Sequence, residues 1–168
     1  MKKIILTLVL ALMTAGMASA QNYMVVDSEK VFKSVSAYNE ALDSLEKFAE
    51  SYQQQVDAKF QEVEQLYNSY MQMRSSLTES TRQQYEQRIL QMEAEATEFQ
   101  ESLFGTEGEL MQKRVEMIQP IQERVFDVIE SFSKQYGYDL VIDIAANPTV
   151  LYYSSKVDFT EMIIKALK

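Results

Sequence analysis

The sequence has 168 residues, with 25 acidic against 16 basic side chains, no histidine and no cysteine. That length suits one domain and hardly two. Without histidine or cysteine, Ser-His-Asp triads, thiol nucleophiles and most transition-metal sites are excluded.

The chain opens on Lys2 and Lys3, an apolar run over residues 4–15 and the small-residue ending Ala18-Ser19-Ala20. Residues 1–20 therefore read as a cleaved secretory signal, whose apolar part is too short to span a membrane. A lipid anchor would need a cysteine at the cleavage point. The expectation is a soluble exported protein starting near Gln21, with 14 basic against 25 acidic residues and a net charge of −11. Such a charge argues against nucleic acid as a partner, since phosphate binding is driven by Lys and Arg. With no disulfide framework in an oxidising compartment, packing or assembly must supply the stability. Only Gly105, Gly108, Gly137, Pro120 and Pro148 remain as turn formers after cleavage, too few for a turn-rich all-β fold.

The first element is YMVVD, residues 23–27, a short β-prone run. A long heptad pattern follows. With Leu42 at position a, the a positions are Leu42, Ala49, Val56, Val63, Tyr70 and Leu77, and the d positions Leu45, Tyr52, Lys59, Leu66 and Met73. All but Lys59 are apolar or aromatic, and a seven-residue repeat held this long marks a left-handed coiled-coil seam. The pattern resumes with Tyr85, Ile89, Met92, Ala96, Phe99, Leu103, Thr106 and Leu110. Two similar seams separated by about seven residues around Leu77 to Gln83 predict two antiparallel helices joined by a tight turn. Thr78 or Ser80 can cap the second helix, and Ser80 with Gln83 fits a capping box.

Folding at that break sets Tyr70 opposite Tyr85, Leu66 opposite Ile89, Val63 opposite Met92, Val56 opposite Phe99 and Tyr52 opposite Leu103. Lys59 meets Ala96, where a long stem can cross a small side chain and carry its ammonium to water. An arm from Leu42 to Leu77 projects roughly 50 Å at 1.5 Å per residue.

After Leu110 the apolar positions shift frame to Met111, Val115, Ile118, Ile121, Val125, Val128 and Phe132, a denser stripe suited to a packed core. Pro120 is expected to bend this helix and Gly137 to end it. YDLVIDIA and TVLYYS, separated by Ala146-Asn147-Pro148, read as a β-hairpin. Residues 159–167 read as a closing helix begun near Asp158 or Thr160. The fold class is α+β and mostly α: an arm over residues 36–114, with its tip near 75–82, projects from a strand-containing body over residues 21–35 and 115–168. About 70 residues are marginal for an independent body, and oligomerisation through the strands is the natural remedy.

These residues carry a resemblance. The β-run ending in VVDSEKVFKS, the long hairpin, the return segment MIQPIQERVFDVIESFSKQYGYDLVID and the late VLYYSSKVDFTEMIIKAL together resemble the OmpH/Skp family of periplasmic chaperones, in order, over the whole mature chain. The resemblance implies a jellyfish-like homotrimer in which strands of three subunits form a small β-core and three helical hairpins hang from it. It also implies the function, an ATP-independent holdase that keeps unfolded outer-membrane proteins between the arms, with no cofactor and no reaction chemistry. Val25, Val26, Leu140, Ile142, Ile144 and Leu151, all in the β-prone runs, are then candidates for the trimer core. The alternative is a structural or adaptor coiled-coil protein of the cell envelope, for which neither the strand-rich ends nor the reversal at residues 75–80 is needed.

Several residues stand out for contact with clients. Phe60 and Tyr67 fall at e and Met71 at b, while Leu90 and Phe104 lie off the a/d set of the return helix. Either such flanking positions merely widen the seam, as Phe48 at g also would, or they form a diffuse apolar lining, for which methionine is suited because it repacks readily. Gly105 and Gly108 read as mid-helix glycines, each costing about 1 kcal/mol relative to alanine. They mark a hinge, a tolerated imperfection or a close helix contact. Family members with basic arms attract acidic clients, whereas residues 36–118 here hold 16 acidic against 7 basic side chains. Only around the tip do Arg74, Arg82 and Arg88 outnumber Glu79 and Glu86. That weakly basic tip either meets clients or an anionic membrane surface, or simply solvates a turn.

Overall fold

The computed structural model describes residues 22–168, so the signal read from residues 1–20 lies outside the described residues. The elements run β1 (Tyr23–Val26), α1 (Ser28–Lys33), α2 (Ser36–Met73), a 3-10 turn (Arg74–Ser76), α3 (Glu79–Phe104), α4 (Glu109–Tyr136), β2 (Leu140–Asp143), a second 3-10 turn (Ser155–Val157) and α5 (Thr160–Ala166). Described residues up to Ser36 together with Gln122–Lys168 form one compact unit, and Ala37–Ile121 form another.

In the first unit β1 pairs with β2 in parallel, from Tyr23 beside Leu140 to Val26 beside Asp143. A parallel pair needs a long crossover, and here the crossover is everything between the two strands. Val25 also bridges Asp158 in parallel, and Val25 O accepts from Phe159 N at 3.0 Å. β1 therefore lies between two neighbours, the usual place for a strand as apolar as YMVV. Met24, Val26, Val31, Val125, Ile163 and Leu167 fill the core, with Phe132, Tyr138 and Phe159 packed against it.

Polar groups lock the edges of this core. Asp27 caps α1 by accepting from Lys30 N at 3.1 Å, and its own N–H donates to the buried Thr160 Oγ1 at 2.9 Å. Ser28 donates from N and Oγ to the two oxygens of Asp143, at 3.1 and 2.6 Å. The string Val26-Asp27-Ser28 thus ties the ends of β1 and β2 to the start of α5. The part-buried bonds to Thr160 and Asp143 satisfy polar groups that burial would otherwise leave without a partner.

The expected β-hairpin between YDLVIDIA and TVLYYS is not formed. Asn147 Oδ1 accepts from Thr149 N at 3.1 Å and Thr149 Oγ1 at 2.5 Å, an Asx turn that leads the chain onward instead of back along β2. Residues 150–154 carry no strand. Gly137 ends α4 at φ +72°, in the left-handed region where glycine is the cheapest residue. Helix α4 continues through Pro120. Pro120 and Glu116 are both exposed, so water can serve the carbonyl that the proline leaves without a donor.

In the second unit α2, 38 residues without glycine or proline, and α3 pack as antiparallel neighbours. Buried α2 positions Tyr52, Val56, Val63 and Tyr70, and α3 positions Ile89, Ala96 and Leu103, recur at spacings of four and seven, the seam of a coiled coil. One cluster joins Val63, Leu66 and Tyr70 to Tyr85, Ile89, Met92 and Ala96. A second joins Phe48, Tyr52 and Val56 to Phe99, Leu103 and Leu110.

Four details of the seam depart from the expectation. Leu42 and Met73 are exposed, so the seam is sealed over a shorter span than the heptads suggest. The cap of α3 is Thr78, one of the two expected candidates, whose side chain accepts from Thr81 N at 3.3 Å; the Ser80–Gln83 box is not the cap. The Lys59 ammonium lies 5.0 Å from the Phe99 ring centroid, a cation–π contact that the heptad frame did not anticipate. Gly105 and Gly108 are not mid-helix. α3 ends at Phe104, residues 105–108 turn with Gly108 N donating to Gly105 O at 2.9 Å, and α4 begins with Gln112 N donating to Gly108 O at 3.1 Å. Thr106 is exposed in this turn while Leu110 rejoins the seam. The inserted turn is why the apolar frame shifts there.

Candidate functional site

The heptad positions divide the hairpin into two flanks. In antiparallel helices the e positions of both chains lie on one side of the seam and the g positions on the other. From Leu42 onward the e and b positions of α2 are Asp43, Glu46, Glu50, Gln53, Asp57, Phe60, Glu64, Tyr67, Met71 and, just beyond the helix, Arg74. Matching positions of α3 are Glu86, Leu90, Glu93, Thr97, Gln100 and Phe104. All five apolar residues singled out in the sequence, Phe60, Tyr67, Met71, Leu90 and Phe104, fall on this flank and are exposed, Leu90 by 65 %. The opposite flank presents Gln55, Glu62, Ser69, Arg88, Gln91, Glu95, Glu98 and Ser102. Its one aromatic, Phe48, stacks on Tyr52 at 6.2 Å between centroids and lies half-buried.

Two grooves open on the apolar flank. The distal one, about 450 Å³, is lined by Tyr67, Tyr70, Met71 and Arg74 from the first side and by Glu86, Ile89, Leu90 and Glu93 from the second. Its floor is braced: the Tyr70 hydroxyl donates to Glu86 Oε1 at 2.5 Å and its ring stacks on Tyr85. That carboxylate, accepting from the hydroxyl, pushes the Tyr70 pKa above the ordinary tyrosine value. The proximal groove, about 640 Å³, is lined by Leu45, Glu46, Phe104, Gly105, Thr106, Leu110, Met111 and Arg114. The break at residues 105–108 opens it, because the turn interrupts the side-chain row between Leu103 and Leu110. Phe104 stands edge-on to Tyr52, centroids 6.4 Å apart, which fixes one wall. The Glu109 carboxylate likewise raises the Tyr52 pKa by accepting from its hydroxyl.

The structure thus brings Tyr67, Met71 and Leu90 together, and places Phe60 a heptad before Tyr67 and Phe104 in a groove of its own. Leu45, Met111 and Arg114 join Phe104 there. No sequence signal singled these three out, since they border a site only because the glycine turn opens the seam. The three tip arginines are separated. Arg74 lines the distal groove, whereas Arg82 turns inward, donating from Nε to Leu77 O at 3.3 Å and pairing with Glu79 at 3.5 Å. Arg88 lies on the polar flank. Of the residues expected in the trimer core, Val25 and Val26 are 1 % and 2 % exposed within the single chain, while Ile142 and Ile144 are half-buried. Leu140 and Leu151 are 56 % and 94 % exposed.

No helix among the described residues is long and apolar enough to cross a membrane. The family model described as "Outer membrane protein (OmpH-like)" matches residues 22–167. An uncharacterized protein of Aquifex aeolicus (strain VF5) is 27 % identical over 159 residues, which cover 94 % of this chain and 93 % of that one. The match takes in both strands and all five helices, so the chain belongs to the OmpH-like family, a family of periplasmic, chaperone-type proteins and not of enzymes.

Proposed function

We propose that the chain is an ATP-independent periplasmic holdase, a homotrimer that keeps unfolded outer-membrane β-barrel proteins from aggregating by holding them against the apolar flanks of its hairpins. The observation that carries this reading is one-sidedness. Phe60, Tyr67, Met71, Leu90 and Phe104 share one flank of the hairpin and stay exposed, although the seam beside them has room only for its own a and d residues. Exposed apolar surface concentrated in this way marks a contact surface. Aromatic rings and methionines that repack fit clients of many sequences better than a shaped pocket would.

Assembly rests on the strand end. β2 pairs with β1 on one side only, and an open edge is a template for pairing with another chain. Leu140 on β2 and Leu151 and Tyr152 in the segment after it are exposed, apolar area that a trimer would bury. The test dilutes a urea-unfolded outer-membrane barrel into buffer and follows light scattering. The protein is expected to suppress aggregation, and Met71→Ser with Leu90→Ser and Phe104→Ser to weaken suppression while the solution mass stays at three chains. Undiminished suppression by that variant would overturn the reading of the flank.

A further inference from the structure

The two grooves have the same make-up. Each joins an exposed ring, a methionine, leucine and an arginine with glutamate at the rim: Tyr67, Met71, Leu90, Arg74 and Glu86 in the distal groove, and Phe104, Met111, Leu45, Arg114 and Glu46 in the proximal one. Both lie on the same flank of the same hairpin. Between them the flank changes character. Apart from Phe60 its e and b positions are Glu50, Gln53, Asp57, Glu64, Thr97 and Gln100, acidic or neutral, with no lysine or arginine among them. Lys59 lies at a seam position with its ammonium over Phe99.

From this arrangement we infer that the grooves are paired anchors for one extended polypeptide segment, which seats an apolar cluster in each and lays a basic or neutral connection along the acidic flank between. The inference rests on the holdase reading and gives its client a chemistry. Tyr70 and Leu45 are 25 residues apart on α2, about 38 Å at 1.5 Å per residue. An extended chain covers that span in about 11 residues at roughly 3.4 Å each. Once the first cluster is seated, the second binds from within the complex at an effective concentration set by the connecting length, so affinity rises without any new kind of contact. A connection too short to span gains nothing, and an acidic one meets like charge along the shaft.

The test measures fluorescence anisotropy of labelled, unstructured peptides binding to the full mature protein. One peptide carries a single Phe-Leu-Met cluster. Three carry two such clusters, joined by 11 Lys/Ser residues, by four Lys/Ser residues or by 11 Glu/Ser residues. The 11-residue basic peptide is expected to bind at least tenfold tighter than the single-cluster peptide, and the short and acidic ones to lose most of that gain. Met71→Ser with Leu90→Ser, or Met111→Ser with Phe104→Ser, should each reduce the long peptide to single-cluster affinity. Because Phe104 also braces Tyr52, Met111→Glu alone serves as a second proximal variant, its side chain being exposed. Affinity independent of spacing, or a gain that survives loss of either groove, overturns the pairing while leaving the holdase reading intact. Groove variants that change solution mass overturn it too, since the grooves then join copies of this chain. If no peptide binds and both groove variants still suppress barrel aggregation, the reading of the flank itself fails.

Discussion

The Tyr70 and Tyr85 rings stack with centroids 5.7 Å apart and planes 18° from parallel, the last aromatic pair before the chain reverses. Tyr70 is buried, and its hydroxyl donates to Glu86 on the same helix as Tyr85. Tyr70→Ala removes ring and hydrogen bond together and should cost about 3–5 kcal/mol. Tyr70→Phe keeps the stack and should cost about 1 kcal/mol. Urea unfolding compares the two, and hydrogen exchange should show the alanine variant's loss of protection concentrated in residues 63–92. Equal costs would mean that the stack adds nothing.

A helix-propensity argument says that Gly105→Ala and Gly108→Ala stabilise, each by about 1 kcal/mol. The turn at residues 105–108 predicts the opposite. A Cβ on Gly105 would stand 2.4 Å from Glu101 O, and one on Gly108 2.8 Å from Gly105 N and from Leu103 C and O, backbone atoms that cannot swing aside. Each alanine should therefore destabilise by about 1–3 kcal/mol, read as a lower thermal midpoint, and should disturb the proximal groove that the turn opens. Stabilisation by either would restore the mid-helix reading. At Gly137 a Cβ meets nothing within 4 Å, so only its positive φ opposes alanine.

The contrast between the seam and the two ends shows what the sequence could reveal. Heptads are a local periodicity, so the facing of Val63 with Met92 or Tyr52 with Leu103 follows once the point of reversal is known. The same frame placed Phe60, Tyr67 and Met71 beside the seam. The parallel pairing of β1 with β2 is different. It joins residues more than a hundred positions apart, and nothing in LVID distinguishes a partner at TVLY from one at YMVV. Asn147 settled the matter through an Asx turn whose direction its neighbours alone do not dictate. Gly105 and Gly108 were visible, but whether glycine marks a weak point or a tight turn depends on backbone atoms that only the folded chain brings close.

Asp27 makes acid sensitivity specific. Its carboxylate pairs with the Lys30 ammonium at 2.9 Å, which holds its pKa below the ordinary aspartate value despite partial burial. A group whose pKa is lower folded than unfolded contributes stability that is present above the unfolded pKa and lost as pH falls through the folded one. With unfolded aspartate near about 3.9, the contribution should be complete at pH 6 and fade below pH 4. Asp27→Asn should melt below wild type at pH 6, and the two curves should converge toward pH 2. A difference independent of pH would assign Asp27 a role through its cap geometry alone.

Burial within the single chain separates two sets of strand residues that the sequence grouped together. Val25 and Val26 are already buried within their own chain, so Val26→Ala should lower the melting temperature, leaving a cavity worth about 1–3 kcal/mol, without itself opening a contact between chains. Leu140 and Leu151 pack against little in their own chain, so lysine at both positions should leave the fold of each subunit intact. On β2 and in the segment after it these lysines set like charges where chains would meet, a device that blocks edge pairing at β2. Under the proposed trimer, light scattering should then report a mass falling from three chains toward one, with far-ultraviolet circular dichroism nearly unchanged. A mass that stays at three chains with both lysines in place would move the assembly surface away from β2 and the segment after it.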